Sequence, residues 1–201
     1  MKTGNRSRRT TLLGLLTAIL MVFGMTPLGY LNIGPLAISF NMIPVAIGAA
    51  ALGPVGGAIL GAVFGMTSFL QCIGIGGSSA MGVILFDINP LFAFIQRFVP
   101  RVTAGFLVGV IYQAARRFCK PGLAGSIAGF CAALLNTVLF MTALILLFGN
   151  TQYLTDLIAG RNVIVFICTF VGINAVAEAL ATTAVTGALT AALERSGLLR
   201  R

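Results

Sequence analysis

The stretch PGLAGSIAGFCAALLNTVLFMTALILLF, from Pro121 to Phe148, contains no charged residue. It is longer than the roughly 20 apolar residues that carry an α-helix across about 30 Å of hydrocarbon. The pattern extends in both directions. Charge is nearly absent between Thr10 and Arg97, and a further apolar run covers Asn162–Leu193. Of 201 residues, 58% are hydrophobic and 8% charged, with a mean hydropathy of +1.04. A soluble domain carries about a quarter of its residues as charges to cover its surface. The chain therefore reads as an all-α integral membrane protein, and a soluble enzyme is excluded.

Glycine, proline and polar residues divide the apolar sequence into six segments. They are Thr11–Met25, Ser39–Leu52, Pro54–Gln71, Pro90–Phe118, Pro121–Phe148 and Asn162–Leu193. The expected organisation is a basic tail over residues 1–10, one six-helix membrane domain over 11–193, and a second basic tail over 194–201. Ser7-Arg8-Arg9-Thr10 weakly resembles a twin-arginine export signal. No small-residue cleavage site follows, so the first segment is expected to be a retained span.

The basic residues orient the bundle. Lys2, Arg6, Arg8 and Arg9 lead the chain, Arg116, Arg117 and Lys120 sit between the fourth and fifth segments, and Arg195, Arg200 and Arg201 close it. Positively charged loops stay in the cytoplasm. An even number of spans places all three clusters there, so both termini are expected to be cytoplasmic. The same distribution explains the net charge of +9 without nucleic acid. A basic patch on a soluble domain would be needed for that reading.

Other chemistries are short of residues. Cys72, Cys119, Cys131 and Cys168 form no close pair, and there is no histidine, so neither a metal site nor a redox motif is expected. No phosphate-binding Gly-x-x-x-x-Gly-Lys-Ser/Thr loop occurs. The acids Asp87, Asp156, Glu178 and Glu194 are too scattered to hold an ion for a membrane transferase. No cofactor is expected.

Small residues mark helix faces that approach closely. Gly53, Gly57, Gly61 and Gly65 recur every fourth residue, as do Gly125, Gly129 and Ala133, and Gly14 is followed by Ala18 at the same spacing. Without a hydrophobic drive between helices in lipid, such faces favour association.

Polar groups inside the bilayer are expensive and tend to mark function. Counted at 1.5 Å per residue from the basic end, Arg101 lies about 22 Å deep, Arg97 about 28 Å, Asn136 roughly 21 Å and Glu178 about 26 Å. Asn174 is one turn beyond Glu178. Three segments thus bring polar groups to the outer half of the membrane. Two readings are open. An Arg–Glu pair can simply hold helices together. Alternatively, Arg97 or Arg101 grips an anion while Asn136, Asn174 and Glu178 bond hydroxyls or amides. A guanidinium suits a carboxylate because it donates two parallel hydrogen bonds. Pro100 is expected to bend or start the helix between the two arginines.

The outer loops suit a lid. Thr26–Pro35, with Tyr30 and Asn32, is too rich in glycine and proline for a helix, and Cys72–Ser79 is similarly flexible. Asp87 and Asn89-Pro90 read as helix-start residues, and Tyr30 and Tyr153 as interfacial anchors.

The segments Thr26-Pro-Leu-Gly-Tyr30, Ile33-Gly-Pro35, Met42-Ile-Pro-Val45, Leu52-Gly-Pro54, Gly61-Ala-Val-Phe-Gly65 and Thr67-Ser68 resemble the S components of energy-coupling factor vitamin transporters. Phe98-Val-Pro-Arg101 with Gly105, and Gly172-Ile-Asn174 with Glu178, continue the resemblance, which spans about Thr11 to Leu193. It is closest to the pantothenate type. The resemblance implies a six-helix protein of the bacterial cell membrane that captures a vitamin from outside and docks on a transmembrane T component carrying two ATPase subunits. Family members topple in the membrane to deliver the vitamin. They dock through an Ala-x-x-x-Ala pair, whose place is taken here by Gly14 and Ala18. Pantothenate's carboxylate would fall to Arg97 or Arg101, with Glu178 orienting an arginine or touching substrate. Riboflavin, lipoate or a stand-alone carrier are the alternatives.

Overall fold

The computed structural model describes the backbone of residues 2–26, 30–33, 36–76, 79–158 and 163–196, and the side chains among them other than those of 2–6, 30–33, 36–39, 157–158 and 163–174. Helix α1 (Lys2–Met25) is followed by an antiparallel strand pair, β1 (Tyr30–Ile33) and β2 (Leu36–Ser39). Then come α2 (Met42–Leu52), α3 (Pro54–Leu70), a 3-10 turn (Gln71–Ile73), α4 (Ala80–Ile88), α5 (Pro90–Ala115), α6 (Pro121–Phe148), α7 (Gln152–Ile158) and α8 (Val163–Arg195).

Among the described residues, five helices are long and apolar enough to cross a membrane: α1 from Ser7, α3 with its 3-10 extension, α5, α6 and the Ala175–Arg195 part of α8. The second of the six expected segments is the short one. Helix α2 has 11 residues, a length of about 16 Å, or roughly half the hydrocarbon. It begins at Met42 because Ser39 is taken by β2, where it pairs with Tyr30. The lid segment, expected as an irregular loop, thus contains a short strand pair, and β2 lies beside α8.

Helix α2 is apolar on every side, and a helix of that kind belongs in a core. It touches α1, α3, α5, α6 and α8, and Met42, Val45, Ala46 and Ala49 are fully buried. Leu60 and Phe64 of α3 and Ala104 and Val108 of α5 complete that core. Gly53 separates α2 from α3 with φ +85°, a conformation that glycine adopts without a Cβ penalty.

Two helix pairs pack backbone to backbone. A β-carbon at Gly57 or Gly61 would overlap the Gly105 or Arg101 carbonyl, and one at Gly65 would sit 2.9 Å from the Phe98 Cα. The glycine stripe of α3 is therefore the seat of α5. In the same way, Gly125 and Gly129 of α6 admit Thr190 and Thr182 of α8.

The basic clusters gather at one end. Arg9 donates to the Leu52 carbonyl at 2.8 Å, Pro54 lies against Gly109, and Arg116 pairs with Glu194 at 3.4 Å. At the other end Gln71 donates to the Gly24 carbonyl at 2.6 Å, joining α3 to the last turn of α1. Helix α5 opens on the expected cap: Asn89 Oδ1 accepts from the Leu91 and Phe92 N–H groups at 3.1 Å each, with Pro90 at the first position.

Candidate functional site

Four of the predicted polar residues lie inside the bundle. Arg97 is 6% exposed, Arg101 5%, Glu178 7% and Asn136 9%. None faces lipid. Asn174 belongs to α8, and Tyr30 and Asn32 belong to β1, but their side chains lie outside the described residues.

Helix registry sets the heights of these groups. Gly61 packs on the Arg101 carbonyl, and Gly129 on the Thr182 carbonyl, one turn inward of Glu178 on α8. Phe140, one turn beyond Asn136 on α6, lies under both arginines. Its ring centre is 5.4 Å from the Arg97 guanidinium carbon and 4.9 Å from that of Arg101. Arg101 also stacks on Phe64 at 4.7 Å. Aromatic faces attract a guanidinium through the ring quadrupole, more strongly where water is absent. The two phenylalanines thus help to stabilise buried cations that hydrocarbon alone would exclude.

Hydrogen bonds fix the arginines in different ways. Arg97 donates from Nη1 to Ser68 Oγ at 3.3 Å and from Nη2 to Ser79 Oγ at 3.2 Å. Arg101 donates from Nη1 to the Arg97 carbonyl at 2.7 Å. Pro100 lies inside α5 without ending it, so the helix does not start there. Lacking an N–H, it withholds a bond from the Gln96 carbonyl, at the turn where the arginines emerge.

Helix α2 begins at a similar height. Val45 meets the position a β-carbon of Gly105 would occupy, at 3.2 Å, so Met42 lies about one turn further out, at about the height of Arg101. A helix N-terminus carries partial positive charge. Among the described residues the buried charges are Arg97, Arg101 and Glu178, two cations and one acid.

Sequence reasoning missed several participants. Gln96 is fully buried, and neither its amide oxygen nor its nitrogen has a hydrogen-bond partner among the described residues. The Asn136 Oδ1 is likewise unpaired. Buried amides left this way are costly in a folded protein. Gln96 stands directly before Arg97, and its polarity within an apolar helix was the available signal. Ser68, Ser79, Phe64 and Phe140 carry no such signal, since their part depends on contacts between helices.

Gly14 and Ala18 lie elsewhere, on the outer face of α1. Both are exposed, and a β-carbon at Gly14 would meet no atom within 4 Å. The buried face of α1 is the opposite one, with Leu16, Leu20 and Gly24.

A buried polar centre in a bundle of apolar helices agrees with the sequence comparisons. The family described as "ECF transporter, substrate-specific component" matches residues 8–190. This chain belongs to that family. The S component is a multi-pass protein of the bacterial cell membrane, and its family is defined by substrate recognition in transport. It is similar to the pantothenic acid transporter PanT of Lactococcus lactis subsp. cremoris, with 27% identity over 96% of this chain and 98% of the relative. It is also 30% identical to the pantothenate transporter PanT of Leuconostoc mesenteroides, over 92% of this chain and 90% of that protein.

Proposed function

We propose that this S component captures pantothenate at the centre around Arg97 and Arg101, from the side of the membrane opposite its basic end. The observation that carries this reading is the pair of buried guanidinium groups sharing the Phe140 face. Pantothenate offers one carboxylate for an arginine, and its hydroxyls and amide match Asn136, Gln96 and Asn174. Glu178 accepts a hydroxyl or orients an arginine. The two PanT relatives support the same choice of vitamin.

The orientation follows from the basic residues. Both tails and the α5–α6 turn face the cytoplasm, and six helical segments between residues 11 and 193 form one membrane unit. Helix α2 completes its passage with the strand pair, whose Tyr30 and Asn32 serve as a lid beside α8. Delivery is driven by ATP hydrolysis in partner subunits, two ATPases joined to a T component. Gly14 and Ala18, on the open face of α1, are the docking contacts.

Calorimetric titration of the purified protein in detergent tests the proposal. Saturable binding of pantothenate, with no comparable signal from riboflavin or lipoate, is the expected result. Uptake into liposomes by this chain alone would overturn the partner-driven mechanism in favour of a stand-alone carrier.

A further inference from the structure

We infer that Ser68 and Ser79 are positioning residues that hold the Arg97 guanidinium ready for the substrate carboxylate. They thereby set the preference for an acid over an uncharged ligand. This inference rests on the pantothenate reading above and names residues which that reading does not require.

The two hydroxyls approach from different elements. Ser68 is in the last turns of α3 and is 1% exposed. Ser79 is the N-cap of α4, where its Oγ accepts from the Gly82 N–H at 3.3 Å. A serine oxygen has two acceptor lone pairs. In Ser79 one serves the helix cap and the other serves Arg97, so the hydroxyl is fully used as an acceptor. Each serine takes a hydrogen from a different terminal nitrogen, which fixes the guanidinium plane as well as its position.

Gly82 makes the arrangement sterically possible. A β-carbon there would lie 3.0 Å from Arg97 Nη2 and 2.9 Å from Cys72 Sγ. The segment between the serines turns through Gly74 and Gly76, at φ +80° and +79°. It is tied to the α3 end by the Ser79 N–H, which donates to the Gln71 carbonyl at 3.4 Å.

Arg101 needs no such support, because its own helix supplies the Arg97 carbonyl. Arg97 is held from two other elements, by Ser68 of α3 and by Ser79 at the start of α4. An arginine side chain has about 2 kcal/mol of rotamer entropy to lose. Ordering it before the ligand arrives raises affinity, and the gain falls only to ligands that use the guanidinium.

The test compares pantothenate with pantothenol, in which the carboxylate is replaced by a hydroxymethyl group. Ser68→Ala, Ser79→Ala and Ser79→Thr are made in the full chain and titrated with both. Each alanine variant is expected to weaken pantothenate about tenfold while changing pantothenol less than about twofold, the loss of a hydrogen bond to a charged group. Ser79→Thr, which keeps the hydroxyl, is expected to restore affinity. Ser68→Ala leaves the α4 cap intact, so it separates positioning from helix stability. Equal losses for both ligands, or no loss for pantothenate, overturn the positioning role alone. Wild-type protein that binds neither ligand overturns the pantothenate reading and this inference with it. If the wild type refuses pantothenol, the comparison moves to the Arg97→Ala background, where a further loss on adding Ser79→Ala overturns the role and no further loss supports it.

Discussion

Arg101 lies over the face of Phe140, with its guanidinium carbon 4.9 Å from the ring centre. Arg97 lies over the same ring at 5.4 Å, so one aromatic side chain of α6 serves two cations of α5. Phe140→Leu keeps an apolar side chain but loses the quadrupole. It is expected to weaken pantothenate by about 2- to 30-fold, corresponding to about 0.5–2 kcal/mol for a cation over a ring. Calorimetry of the variant checks this, and unchanged affinity would remove Phe140 from the site.

The arginines themselves give the largest expected effect. Arg97→Ala or Arg101→Ala should weaken pantothenate by about 10- to 100-fold, as expected for a lost hydrogen bond to a charged group. Arg101→Lys should not rescue, because an ammonium lacks the planar fork that stacks on Phe64 and Phe140. Wild-type affinity in both alanine variants would move the carboxylate elsewhere.

Gly61 offers a test of packing independent of ligand. Its β-carbon would strike the Arg101 carbonyl, which as backbone cannot turn aside. Gly61→Ala is expected to lower stability by about 1–3 kcal/mol through overpacking, measured as a fall in melting temperature. Gly14→Ala, at an open position on α1, is the control and should leave the melting temperature unchanged.

Docking and capture should separate by mutation. Gly14→Leu and Ala18→Leu add bulk to the open face of α1 and stay clear of the arginines. Calorimetric affinity for pantothenate should be that of the wild type, while ATP-driven uptake in vesicles holding the partner subunits should fall at least about tenfold, since close approach of helices needs small residues. Normal uptake in both variants would place the docking contact on another face.

Much of this fold can be read from the chain because proline and glycine mark its helices. Helices α3, α5 and α6 open at Pro54, Pro90 and Pro121, as the segments predict, and α6 ends at Phe148. The four-residue spacing of Gly57, Gly61 and Gly65 correctly marks a packing face, although nothing in it names α5 as the partner. Helix α4 is not among the predicted segments. Its nine residues are too few for a span, and its Ser79 cap lies in a glycine-rich run that reads as loop. The length of α2 is also hidden, because the residues before it are spent on a strand whose pairing is a property of the folded chain. For the candidate site, charge amid apolar residues picks out Arg97, Arg101 and Glu178, all three of which are buried. The rings and hydroxyls that hold the arginines are ordinary residues until helices α3, α5 and α6 are brought together.

The meeting of α3 and α5 at Gly57 and Gly105 has one more effect. No side chain lies between the two main chains there to act as a bearing, so sliding one past the other would drive carbonyl into carbonyl. The pair is a single rod, and the arginines are fixed to it. Any change in the tilt of one helix would therefore carry the other, and the two arginines, with it.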